Sequence, residues 1–296
     1  MRASIRAARW ILAIGVLLWS APGSAASAST PATPGGPGSA AAGTATFVPA
    51  DVLHRLKSGD DAAIKDALDE VRTAGKAGAA AVPAIVDLLR AGLSPTLTHV
   101  ALETLGDTES PSASEVVAWY ARHRDVTVRR AAVEALAKTR GTGASRVLRA
   151  ALSDSDAAVR GIAATALGDM KVREAIPDLF AALDRDVAEA AASIGELCTG
   201  QECERLVAKL GSVPFDIVTS GLDEVLLRSS AEVSDEMKLS IVGRVRELGT
   251  AEANHFLKGL QAKWPQKGSR HLRQAIDQAV LATEGSPGAD GRETAP

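Results

Sequence analysis

The stretch Asp125-Val126-Thr127-Val128-Arg129-Arg130-Ala131-Ala132-Val133-Glu134-Ala135-Leu136 decides the fold. Its apolar residues Val128, Ala131, Ala132, Ala135 and Leu136 fall at the i, i+3, i+4, i+7, i+8 spacing, which is one stripe of an α-helix. The same stripe returns 31 residues later at Val159, Ile162, Ala163, Ala166 and Leu167. It also occurs 31 residues earlier at Leu97, Val100, Ala101, Thr104 and Leu105. The intervening text keeps this register: Val86, Val117, Leu148 and Leu179 are again 31 residues apart. Beyond them the period contracts to about 28, through helical text starting at Val187 and at Cys203. Each unit reads as a first helix, a turn, a second helix and a turn. A single pair cannot cover its own apolar stripe, so successive pairs must stack. The predicted fold is all-α, an α-solenoid (superhelix) of stacked antiparallel helix pairs.

The run D-x-x-V-R-x-x-A-x-x-A-L, with Pro or a small residue opening the second helix, resembles the HEAT repeats. The similarity is to their short bacterial form, the phycobilisome-lyase type, within the armadillo-like superhelices. Asp125 to Arg129 and Asp156 to Arg160 match the motif, as do Pro83 and Pro177. The neighbouring repeat departs from it, with Ser94 for the Asp and Thr98 for the Arg. The similarity covers Asp61 to Leu210 well and continues more weakly to Thr283. Some relatives of these repeats are enzymes that bind iron through His-Glu pairs. None of His54, His99, His123, His255 and His271 is followed by Glu, so no metal ligand carries over. The repeat text alone does not imply lyase activity either.

Individual repeat positions have a structural reading. Asp125 and Asp156 suit helix N-caps, where a carboxylate accepts free backbone N–H groups. Arg129 and Arg160 occupy one place in successive units and are expected to form a structural ladder.

Composition agrees with this reading. The chain has 296 residues, 46% of them hydrophobic but only 3% aromatic, and about one in five is alanine. That is too poor in β-branched and aromatic residues for a strand-built protein, and rich in helix formers.

Arg2, Arg6 and Arg9, an apolar core from Trp10 to Trp19, and small residues up to Ala28 have the layout of a secretory signal peptide. Cleavage is expected after Ala25, Ala26 or Ala28. The apolar run of about ten residues is short against the roughly 20 of a membrane span; an uncleaved anchor is the other reading. The signal carries three arginines and no acid. Its removal takes 33 basic residues to 30 against 36 acidic ones, and the net charge from −3 to −6. An acidic, ring-poor chain lacks the cationic, stacking surface of a nucleic-acid binder. Nucleic acid is therefore excluded as a partner, and no stable membrane insertion is expected after cleavage. The predicted location is periplasmic or secreted.

The resulting organisation is a signal peptide at 1–26 and a Pro/Gly/Ser/Ala linker at 27–46. HEAT-like repeats follow at 47–210, then divergent helical repeats with a C-terminal cap at 211–284 and a disordered tail at 285–296. The 211–284 region contains four amphipathic stretches, around Phe215–Leu226, Ser234–Leu248, Ala253–Trp264 and Leu272–Val280.

Cys198 and Cys203 flank a tight turn, and in an exported protein such a pair is expected to be a structural disulfide. The mature chain has no phosphate loop, zinc-protease, nucleophile-elbow or EF-hand pattern. No catalytic, cofactor-binding or metal-binding residue is assigned, and no cofactor is expected. A non-enzymatic protein-binding scaffold or adaptor, using the concave face of second helices, is the better expectation. An accessory subunit or lyase-like enzyme with a site in the groove is the alternative. The more polar positions on the second helices are Asp87, Arg90, Glu115, Arg122, Arg146, Arg149, Asp178, Arg205 and Lys209. Candidate partner-binding residues are Trp119, Tyr120, Arg122, Arg146 and Arg149. Trp119 has two readings. Either it is an exposed hot spot, or it fills a gap left by alanine-rich neighbours, its equivalents being Ala150 and Ala181. Trp264, just before Pro265, is expected to be packed.

Overall fold

The computed structural model describes residues 49–266 and 268–284. The signal peptide, the linker and the 285–296 tail lie outside the described residues. Among those described, all regular structure is helical, apart from one isolated bridge between Leu210 and Val213.

The chain opens with α1 (Ala50–Leu56) and α2 (Asp61–Ala74). From there, first and second helices alternate. The first helices are α2, α4 (Pro95–Asp107), α6 (Val126–Thr139), α8 (Ala157–Asp169), α10 (Glu189–Leu197) and α12 (Phe215–Leu227). They pack on one another in chain order. The second helices are α3 (Val82–Ala91), α5 (Ser114–Tyr120), α7 (Ala144–Ala151), α9 (Ile176–Leu183) and α11 (Gln201–Val207). Pro83 and Pro177 occupy the first turns of α3 and α9, where a missing N–H is no loss. Short 3₁₀ turns at Gly75–Ala81, Pro111–Ala113 and Arg173–Ala175 lead into α3, α5 and α9. The second helices are short; α5 is α-helical only over Ser114–Tyr120. Helices α13 (Asp235–Leu248), α14 (Ala251–Lys263) and α15 (Arg270–Thr283) follow and pack on each other, with α14 also against α12. All four C-terminal stretches are thus helices.

Capping residues fix where helices start. The side chains of Asp60, Ser94, Asp125, Asp156, Ser234, Thr250 and Ser269 each accept a backbone N–H at the head of a helix. The repeating stripe is the core. Val128, Ala131, Ala132, Ala135 and Leu136 are buried, as are Val159, Ala163, Ala166 and Leu167. Thr104, the polar member of its stripe, is fully buried and donates its hydroxyl to the Val100 carbonyl at 2.8 Å. Val100 and Ile162 are half-buried.

Small residues set the spacing between first helices. A Cβ on Gly195 would stand 2.1 Å from the Gly221 carbonyl oxygen, and one on Gly221 would stand 2.3 Å from that of Ala191. At this seam α10 and α12 touch backbone to backbone. Glycine at 195 and 221 is therefore a packing requirement.

The arginine ladder is present. Arg129 donates to the His123 carbonyl at 3.0 Å and the Arg124 carbonyl at 3.2 Å. One repeat on, Arg160 donates to Asp154 at 2.9 Å and Ser155 at 3.2 Å, again through their carbonyls. Each guanidinium ties the head of its own helix to the turn before it. Arg129 also makes a two-pronged ion pair with the Asp154 carboxylate, both contacts at 2.9 Å. Arg160 has no such partner, because the residue 31 beyond Asp154 is Arg185; its Nε is buried without an acceptor. Burial pushes the Asp154 carboxyl up, but Arg129 and the Asp156 amide outweigh it and hold it below the usual carboxylate range. The two-pronged Arg130 contact and the Val159 amide bring Asp156 down to about 2.

Cys198 ends α10 and Cys203 lies in the first turn of α11. Both are buried, with Cα atoms 5.2 Å apart and sulfurs within bonding reach. The carbonyls at this end of α10 are held by cations: Arg173 donates to Leu197 at 2.6 Å and Arg228 to Cys198 at 2.7 Å.

Candidate functional site

Helix α5 buries Val116 and Val117 along one side, with Tyr120 half-buried on the same side. Trp119 lies two residues beyond Val117 and three beyond Val116, which turns it away from Val117 and sets it on the flank of α5 beside Val116. Its indole is 81% exposed. The gap-filling reading of Trp119 is therefore corrected. Its equivalents Ala150 and Ala181 are also exposed, so this slot faces solvent in each repeat and leaves no core gap to fill. Trp264 is packed, at 7% exposure.

Trp119 forms one wall of a hollow of about 500 Å³ between α3 and α5, lined by Leu89, Arg90, Glu115, Val116, Tyr120 and His123 as well. Leu89 and Val116 are buried core residues that give it an apolar floor. Tyr120 spans the repeats: its hydroxyl donates to the Leu89 carbonyl at 2.8 Å, a link of 31 residues. Burial pushes the Tyr120 phenol up, so it remains a protonated donor. His123 Nδ1 accepts the Asp125 amide at 3.1 Å, which fixes the ring at the end of the hollow.

A second hollow, between α5 and α7, shares His123 with the first and is lined further by Arg122, Arg129, Val147 and Ala150, among others. The structure thus brings Trp119 and Tyr120 together and sets Arg122 one step along. Arg146 and Arg149 are exposed on α7 and line neither hollow. Arg149 is held by Asp178 at 2.6 Å, whereas Arg146 has no ion pair among the described residues. Sequence reasoning missed Leu89, Val116 and His123 as lining residues. The signal available for Leu89 was its place one repeat before Tyr120.

Among the described residues no group of three or more His, Cys, Asp or Glu side chains is arranged to hold a metal ion. No described helix is long and apolar enough to cross a membrane.

Residues 82–157, which span α3 to the head of α8, match the family model for HEAT repeats. This stretch carries HEAT repeats. The HEAT stack is similar to solved structures at low identity. For the complex of CpcE and CpcF of phycocyanin lyase from Nostoc sp. PCC7120, identity is 18%, the match covers 84% of this chain and 98% of that one, and the TM-score is 0.42. A designed armadillo repeat protein in complex with the peptide (KR)4 gives 17% identity, 78% and 98% coverage, and a TM-score of 0.39. Human deoxyhypusine hydroxylase gives 15%, 79% and 94%, and 0.35. A comparison with curated proteins gives no match.

Proposed function

We propose that this HEAT-repeat protein is an exported, non-enzymatic scaffold that docks a protein partner on its second-helix layer, centred on Trp119. The observation that carries this reading is the exposure of Trp119 over an apolar floor. A ring 81% exposed beside buried Leu89 and Val116 is costly to leave in water and is typical of an interface anchor. The sequence supports export through its three-part N-terminal segment.

The groove does not favour the enzymatic alternative. Glu115 and His123, its acid–base candidates, stand eight residues apart, Glu115 in the first turn of α5 and His123 beyond its C-terminal end. Tyr120 is already committed to the Leu89 carbonyl.

The test is affinity purification from envelope material with wild type and Trp119→Ala. Wild type is expected to retain a protein that the variant loses, with unchanged helicity. Equal retention by both, or retention of a small molecule and no protein, refutes the scaffold.

A further inference from the structure

The charges around Trp119 specify what kind of segment would dock. On α3, α5, α7 and the turn after α5, three exposed arginines have no ion pair among the described residues: Arg122, Arg124 and Arg146. The one acid there in the same state is Glu115. Arg90, in the Trp119 hollow, is only loosely offset by Asp87 at 3.7 Å, with both side chains exposed. Further along the layer most cations are committed; Arg185, in the turn after α9, is exposed and has only a 3.3 Å hydrogen bond to the Ser153 hydroxyl. Arg149 is held by Asp178 at 2.6 Å, Lys209 is paired with Asp184 at 2.5 Å, and Arg205 lies over the Phe180 ring at 4.0 Å. Uncommitted positive charge is therefore concentrated beside the exposed ring, in a chain whose net charge is −3.

We infer that the joined hollows at Trp119 and Arg122 take an acidic peptide segment of a partner protein, carrying one large apolar side chain between carboxylates. This rests on the scaffold reading and adds the chemistry of the partner. The apolar side chain would sit on Leu89 and Val116 against the Trp119 ring. Carboxylates on either side would reach Arg90 and Arg122, whose fork geometry suits two-pronged contacts. Glu115 inside the hollow repels a continuous polyanion, which favours a segment of spaced carboxylates over a nucleic-acid backbone.

The test pans the full chain against phage-displayed random peptides, then titrates fluorescein-labelled copies of the enriched sequences by polarisation. Enrichment of Asp/Glu-rich sequences with one large apolar residue is expected. Their affinity should fall about tenfold or more in Trp119→Ala and in the Arg90→Glu/Arg122→Glu double variant, and weaken with salt. Arg270→Glu, an exposed charge reversal on α15, should leave it unchanged. All these positions are exposed, so folding is not at stake, and circular dichroism checks it. Enrichment of basic or uncharged sequences that still depend on Trp119 overturns the acidic assignment and leaves the scaffold standing. Displacement of the peptide by a single-stranded oligonucleotide at equal concentration also overturns it. If no enriched peptide depends on Trp119, this inference falls, and the envelope purification decides the scaffold separately.

Discussion

Replacing Gly195 by alanine tests whether the first-helix layer is held at backbone contact. The new Cβ would stand 2.1 Å from the Gly221 carbonyl oxygen, 2.8 Å from its carbon and 2.9 Å from its Cα. Ordinary carbon–oxygen approach is about 3.3 Å or more, so α10 and α12 must part by about 1 Å. A gap of that size forfeits up to about half of each dispersion contact across the seam. The seam includes Ala191, Ile194, Val218 and Leu222, all buried. Because the clash is with backbone, no rotamer change relieves it, and the cost belongs at the upper end of overpacking, about 3 kcal/mol. Alanine returns about 1 kcal/mol of helix propensity, leaving a net loss of about 2 kcal/mol. Gly243→Ala, in α13, is the matched control. Nothing lies within 4 Å of its Cβ position, so it should gain up to about 1 kcal/mol. Thermal unfolding followed by circular dichroism should show Gly195→Ala lower by about 4–8 °C and Gly243→Ala higher by about 2–4 °C. A Gly195→Ala variant as stable as wild type, or a Gly243→Ala variant that falls equally far, would refute close backbone packing as the reason for glycine here.

Arg129→Ala should destabilise by about 3 kcal/mol, since it strands the nearly buried Asp154 carboxylate as well as two carbonyls; Arg160→Ala, which strands carbonyls alone, should cost less. Both should retain partner binding, and lost binding in a variant that melts normally would overturn the ladder's structural role. Asp156 titrates at about 2 in the fold against an ordinary value of 3.8. A depressed carboxyl gives stability that is present above its unfolded pKa and lost as pH falls through the folded one. Stability should therefore drop between about pH 4 and about pH 2, and Asp156→Asn should flatten that drop in acid-unfolding curves. Periplasmic material should contain no titratable thiol in denaturant, and closing the short Cys198–Cys203 loop should contribute about 2 kcal/mol; two reactive thiols would refute the disulfide.

The fold was legible because the repeat states itself in several independent ways. The stripe, the Asp caps at 125 and 156 and the prolines at 83 and 177 all fall in register, and each has a local cause. Trp119 was harder. Comparison with Ala150 and Ala181 showed that the slot needs no large ring, but not which way the slot faces. That follows from its angle to the buried Val116 and Val117, which requires knowing where α5 begins. The unpaired Nε of Arg160 had a trace in the sequence, since Arg185 stands where register would place the next acid. The hollow itself was not legible. It depends on how α3 and α5 splay, which is set by contacts such as the Tyr120 to Leu89 link between repeats.

Positions 88, 119, 150 and 181 are the same address on four successive repeats, and the last three face solvent. Such a slot can change occupant without disturbing the core, because the stripe that holds the stack lies on the other side of each helix. Recognition is in that sense portable. Moving the indole, by combining Trp119→Ala with Ala150→Trp, should carry a docking site one helix pair along, about 10 Å at ordinary helix spacing. A lineage, or a designer, could thus re-aim this surface in steps of one repeat while the alanine seams beneath stay fixed.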